Sequence, residues 1–248
     1  MAELTIANLF NVALAIGAGV AMFNGMIHGY TGFGGALIII PVLTFLFGPV
    51  EAIGMVMIIT IFGAAQLARE TVHLVRWREL VPICIGITAF TPVGAWFLYY
   101  IDPEIVRRSM GGFVVLFALI LMSGWSYRGK RGALPSALVG MTAGGINGLT
   151  GVGGPPLGLY FLSSPLPVEV QRANIIMCIV VLIIAMMVAI AVGGGYSWLV
   201  VTRALLIVPA YMLGAWCGAR LFALAPKSWF KKVALVILLI TGISVLLA

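Results

Sequence analysis

Charge is what this chain has least of. Only 8% of its 248 residues are charged, and only 7 of those are acidic. A soluble domain needs about 25% charged residues to coat its surface. A water-facing globule is therefore excluded. Cysteine is also scarce. Cys84, Cys178 and Cys217 lie in apolar runs, match no metal or redox spacing and cannot all pair. They read as small lipid-buried residues. Catalytic signatures are missing too, with no G-x-S-x-G elbow, H-E-x-x-H helix or Walker loop. No glycine run is followed by the Lys-Ser/Thr of an ATP site, so primary pumping by this chain is not expected. No metal ligand set and no cofactor is implied. The opening MAELTIANLF has no Lys or Arg, so no cleaved signal peptide is expected.

What the chain does have is apolar surface. Hydrophobic residues make up 62%, and the mean hydropathy is +1.19. Its solvent is lipid. Ten apolar segments read near 4–28, 33–48, 51–72, 79–100, 104–124, 133–149, 152–163, 168–192, 199–222 and 228–247. The expected fold is an all-α polytopic membrane protein forming one transmembrane domain, 1–248. Segments two and seven are short. Segment seven is too short to span as a regular helix and reads as a half-helix or one arm of a re-entrant hairpin.

An internal repeat organises these segments. His28-Gly29-Tyr30-Thr31-Gly32-Phe33-Gly34-Gly35 aligns without gaps on Asn147-Gly148-Leu149-Thr150-Gly151-Val152-Gly153-Gly154, at an offset of 119 residues. Val50-Glu51 recurs as Val168-Glu169, and Gly94-Ala95-Trp96 as Gly214-Ala215-Trp216. Duplication accounts for all three offsets. Repeat one is 1–125, the linker 126–132 and repeat two 133–248, with about five hydrophobic segments each.

The net charge of +7 sits mostly in short loops. Arg76 and Arg78, the linker's Arg128, Lys130 and Arg131, and Lys227, Lys231 and Lys232 fall in loops separated by even numbers of crossings. The positive-inside rule makes that side cytoplasmic. The loops near 102–108 and 193–197 are neutral and fall opposite. Equivalent loops of the two copies thus differ in charge, as expected for inverted repeats with both termini extracytoplasmic. Nothing in the pattern supports nucleic-acid binding.

The two Gly-rich motifs read as helix starts inside the membrane. Glycine permits the break, and Pro155-Pro156 suits a first helical turn. A helix start exposes unpaired N–H groups and a positive dipole end, which attract an anion. Thr31, Gly32, Phe33, Gly34 and Gly35 would face Thr150, Gly151, Val152, Gly153 and Gly154 around one small anionic substrate. His28 and its repeat mate Asn147 can add donors, and His28 can also carry a proton. Packed, hydrogen-bonded side chains are the plainer alternative for both. Asn24, Tyr30, Gln66 and Asn174 can line a pathway or simply pack and bond across helices. Arg69 and Arg172, near span ends, are expected to snorkel to the interface.

The duplicated T-G-x-G-G motif, its inverted setting and the chain length resemble the sulfite exporter TauE/SafE family, also known as the toluene sulfonate uptake permease family. Gly32, Gly34, Gly35 and Pro41 carry the resemblance in copy one. Gly151, Gly153, Gly154, Pro155 and Pro156 carry it in copy two. It implies movement of sulfite, sulfoacetate or other organosulfonates across the bacterial cytoplasmic membrane. Three readings follow: a secondary transporter working by alternating access, a passive anion channel or permease for another small organic anion, and an intramembrane enzyme with His28 as base. The last lacks a nucleophile or metal cluster. Uptake of a bare anion would need a coupled proton or sodium ion.

Overall fold

The computed structural model describes residues 12–33, 36, 38–123, 127, 129, 131–226 and 236. Among them every regular element is helical. In chain order these are α1 (Val12–Thr31), α2 (Ile39–Phe47), α3 (Pro49–Thr71), α4 (Trp77–Tyr100), α5 (Pro103–Met122), α6 (Ala133–Thr150), α7 (Gly154–Leu162), α8 (Val168–Val192) and α9 (Trp198–Leu224). A 3-10 turn, Val72–Leu74, extends α3. The nine helices fall on the first nine apolar segments. The tenth segment lies outside the described residues except at position 236. Gly34 and Gly35 also lie outside them.

Helix lengths separate two kinds of element. α4, α8 and α9 have 24, 25 and 27 residues. At about 1.5 Å per residue each exceeds a hydrocarbon core about 30 Å thick. With α3 and its turn, Pro49–Leu74, they are the four described helices long and apolar enough to cross a membrane. α2 and α7 have 9 residues each, or about 14 Å, and can cross only half of it. The side chains facing outward are apolar: Ile85 on α4 is 63% exposed and Leu213 on α9 59%. In water such surface would be an association hazard; against lipid it is solvated. Trp77 and Tyr100 bracket α4, and Trp198 opens α9, all exposed. These are the positions where aromatic rings meet headgroups.

Two long helix pairs frame the molecule: α1 runs along α9, and α4 along α6. Both contacts are made by glycine. A Cβ at Gly25 or Gly29 would strike the carbonyls of Tyr211 and Ala215 on α9; one at Gly214 or Gly218 would strike those of Met22 and Met26 on α1. On α6, a Cβ at Gly144 would lie 2.7 Å from the Ile87 carbonyl oxygen, and one at Gly148 would meet that of Thr91. Lipid gives helices no hydrophobic reason to associate, so backbone-to-backbone packing supplies the contact energy. α3 and α8 pack on each other between the pairs, α3 also on α9 and α8 also on α4. The short helices α2 and α7 sit against this centre, and almost all of α7 is buried.

Candidate functional site

Both Gly-rich motifs are the ends of one helix before they are the approach to the next. Thr31 and Thr150 are the last residues of α1 and α6. The following glycines turn left-handed, Gly32 at φ 79° and Gly151 at φ 72°. Only glycine adopts that region readily. Gly32 N–H donates to the His28 carbonyl at 2.8 Å and Gly151 N–H to that of Asn147 at 2.7 Å. The threonine hydroxyls close the same turns. Thr31 donates to the Ile27 carbonyl at 2.8 Å and accepts from Phe33 N–H at 3.3 Å. Thr150 donates to the Ile146 carbonyl at 2.7 Å and accepts from Val152 N–H at 3.2 Å. The expectation that each motif starts a helix therefore needs correction in copy one. There α2 begins only at Ile39, whereas in copy two α7 begins at Gly154 with the two prolines in its first turn.

Those prolines limit what the α7 start can offer. The first four N–H groups of a helix have no partner within it. Here two of the four positions are Pro155 and Pro156, which have no N–H. The donors left are those of Gly153 and Gly154, and both residues line a small buried cavity.

The cavity measures about 30 Å³, room for on the order of two waters. His28 from α1 and Asn147 from α6 line it, beside Gly151, Val152, Gly153, Gly154 and Pro155. Met57 and Thr60 of α3 and Ile179, Leu182 and Ile183 of α8 close the remaining walls, with Ala36 at one edge. No carboxylate and no Lys or Arg is among the lining residues. His28 is fully buried. Its Nδ1 shares a 2.5 Å hydrogen bond with the Tyr211 hydroxyl of α9, and its Nε2 has no partner. Asn147 donates its amide to the Leu182 carbonyl of α8 at 3.2 Å.

The other sequence candidates fall around this cavity. Thr31, Gly32, Phe33 and Thr150 shape the two turns but do not line it. Phe33 is buried and lies against Gly158 of α7, while Ile40 of α2 reaches Gly151, so the two breaks interlock. Asn24 is buried on α1 away from the lining. Tyr30 packs edge-on against Phe222 with ring centres 5.9 Å apart. Gln66 is half-buried on α3. Asn174 accepts the Arg76 N–H at 3.0 Å, tying α8 to the turn before α4.

Arg172 overturns an expectation. It does not snorkel but is only 5% exposed. It donates to the Gly29 carbonyl at 2.5 Å and lies 4.4 Å from the Phe222 ring centre. The last turn of α1 has carbonyls in need of donors and carries the negative end of the dipole, so a guanidinium there is held inside. Arg131 does the same for α7, donating to the Tyr160 carbonyl at 2.9 Å. Arg69 stays exposed. Sequence reasoning missed Thr60, whose signal was a hydroxyl within an apolar span. It also missed Tyr211, which looked like any aromatic packing residue.

A small cavity with a few polar groups set among apolar walls, between broken helices whose outer faces are apolar, defines a multi-pass membrane protein. The family comparison gives it a lineage: the model described as sulfite exporter TauE/SafE matches residues 16–245, and the chain belongs to that family. It is 26% identical over 227 residues to "Probable sulfite/organosulfonate exporter TauE" of Cupriavidus necator, covering 88% of this chain and 87% of that relative. No solved structure matches significantly. The family is named for export, not for a reaction.

Proposed function

We propose that this chain is a secondary transporter of small sulfur-containing anions, sulfite or organosulfonates such as sulfoacetate, working by alternating access. The observation that carries this reading is the cavity's chemistry. Its polar groups include the His28 ring, the Asn147 amide and the Gly153 and Gly154 N–H groups, with no carboxylate among the lining residues. Donors without an anionic competitor suit an oxyanion. The substrates in the C. necator relative's name agree with that chemistry.

The same reading includes two inverted repeats, 1–125 and 133–248. The contacts favour it. If α1 to α5 correspond to α6 onward, the mate of the α1–α9 pair is the α6–α4 pair. These are the two glycine-lined pairs. Gly25 and Gly29 then correspond to Gly144 and Gly148, and Gly94 to Gly214. The anion's head would rest on Gly153 and Gly154, with His28 and Asn147 beside it. Basic loops and charge parity put both termini outside.

The cavity's size favours a carrier over an open pore. Sulfite has four heavy atoms, and the space takes on the order of two waters. Helices must part to admit it, and only one side need part at a time.

Flux in proteoliposomes tests the reading. Sulfite and several sulfonates are compared with chloride and sulfate under imposed pH and voltage gradients. Saturable, selective movement of sulfur anions is the expected result. Gly153→Leu should abolish it while leaving membrane insertion intact, because a side chain there meets the Ala143 carbonyl and Asn147 Cβ, both at 2.7 Å. No selective flux under any gradient removes the assignment. Rates beyond any conformational cycle would make the protein a channel.

A further inference from the structure

We propose that anion binding at this site takes up one proton, at Nε2 of His28, so that an organosulfonate and a proton occupy and cross the protein together. The proposal rests on the anion-transport reading above and adds the coupled ion to it.

Three observations lead here. His28 is fully buried, yet only one of its ring nitrogens is engaged. Nδ1 is tied to the Tyr211 hydroxyl at 2.5 Å, while Nε2 is unpartnered on a residue that lines the cavity. A buried imidazole nitrogen without a partner is costly unless a ligand uses it. Second, space has been made for the tyrosine that fixes the ring. A Cβ at Gly63 would come within 2.6 Å of Tyr211 Cε1, so glycine there lets the ring reach His28 from α9. Third, among the residues lining the cavity His28 is the one that can change charge near neutral pH.

The surroundings decide when it does so. α9 presents Tyr211, and α8 presents Arg172, bonded to the Gly29 carbonyl of α1 and in electrostatic contact with Glu70 of α3. α3 and α6 bring only the uncharged Met57, Thr60 and Asn147 to the cavity. An imidazolium there finds no carboxylate among the cavity's described lining residues to act as its counter-charge in the empty protein. A bound sulfonate supplies the missing counter-charge. The proton then comes from water onto Nε2, Nε2–H donates to a sulfonate oxygen, and Nδ1–H stays on the Tyr211 oxygen. Proton and monoanion together carry no net charge, so the membrane potential neither drives nor opposes their passage. Sodium coupling has less to recommend it, since no carboxylate lines the cavity to hold the ion.

The experiment uses full-length protein in detergent and methanesulfonate, whose own charge does not titrate near neutral pH. Weakly buffered protein should take up about one proton per anion bound. Its affinity should fall about tenfold per pH unit on the alkaline side, the slope of one linked proton. In liposomes, methanesulfonate flux should follow a pH gradient and ignore voltage. His28→Gln keeps a side-chain donor but cannot titrate, so its residual binding should be independent of pH and release or take up nothing. Tyr211→Phe keeps the imidazole and removes the acceptor from Nδ1–H. Its proton uptake should persist but move about one pH unit more acidic. Binding by wild type without proton uptake and without pH dependence overturns the proposal and leaves anion transport standing. Failure of every sulfur anion to bind at any pH overturns both.

Discussion

The two glycine-lined contacts can be tested with an internal control that the helices themselves supply. On α6, Gly148 and Gly145 are three residues apart. A Cβ at Gly148 would lie 2.7 Å from Gly94 Cα and 2.5 Å from Ala95 N, and would also strike the Thr91 carbonyl. Real Cβ atoms do not approach backbone so closely, and a backbone cannot swing aside as a side chain can. A Cβ at Gly145 meets nothing within 4 Å. Alanine at Gly148 must therefore push α4 and α6 apart, at a cost of about 1–3 kcal/mol for overpacking. Alanine at Gly145 carries no such cost and gains up to about 1 kcal/mol of helix propensity. The propensity gain is common to both alanines, so the two variants should differ by the overpacking cost, about 1–3 kcal/mol. At about 2–4 °C per kcal/mol for a chain of this size, that is on the order of 5 °C in the unfolding midpoint. Thermal unfolding of purified protein, read by intrinsic fluorescence, measures the gap. A comparable pair exists on α1: Gly29 abuts Ala215 and Ala219, whereas Gly19 meets nothing within 4 Å. Gly29→Ala should fall and Gly19→Ala should not. If Gly148→Ala and Gly145→Ala melt together, the close contact is not what holds α4 to α6. If only one helix shows the gap, the two interfaces are not equivalent and the repeat reading weakens.

Two further outcomes separate structural from substrate roles. Thr150→Val removes the acceptor for Val152 N–H and should cost about 1 kcal/mol of stability. Thr150→Ser keeps it and should match wild type in both thermal stability and anion affinity; equal stability of the Val variant would mean the turn does not need its hydroxyl. Arg172→Met leaves the Gly29 carbonyl without its donor and should destabilise by about 1–3 kcal/mol. Arg172→Lys should not restore stability, because an ammonium cannot stack flat on Phe222 while donating to Gly29; a lysine variant as stable as wild type refutes that account.

What the sequence made legible follows from how strongly lipid constrains a chain. Backbone groups must be paired within each helix, so apolar length maps directly onto helices, and the segment read at 168–192 coincides with α8. The breaks were legible because glycine leaves a mark wherever the chain turns left-handed, as Gly32 and Gly151 do. Side-chain partners were not, because apolar helices have no strong amphipathic stripe to say which face meets which neighbour. Arg172 shows the failure: its position near a span end suggested the interface, but its destination was fixed by the unpaired carbonyls of α1, an element 143 residues away. Tyr211 shows another. Nothing near it in sequence distinguishes a packing ring from one that holds a buried histidine across 183 residues. The threonines carry a second role that spacing did not signal. Their hydroxyls were expected to face a ligand, and both also close the turn two residues on.

The prolines that open α7 lead to a last prediction, and it turns on a cost in the empty protein. A proline at the second helical position removes an N–H that would have no intrahelical partner. Pro155 lines the cavity, so Pro155→Ala puts a third donor at the helix start beside those of Gly153 and Gly154. Without a ligand that donor is buried and unpaired, at about 1–3 kcal/mol, and the unfolded chain regains the freedom that proline denied it, at about 0.4–1 kcal/mol. The empty variant should therefore melt below wild type. With a sulfonate bound, the new N–H acquires an acceptor and the unpaired-donor cost is recovered, whereas the chain-freedom cost is not. The stabilisation by saturating methanesulfonate should thus be larger in Pro155→Ala than in wild type, although the variant starts lower. Thermal shift with and without the anion reads both quantities in one titration. A variant that is less stable but gains no more from the anion than wild type would place the anion away from the start of α7, and with it the donors assigned to Gly153 and Gly154.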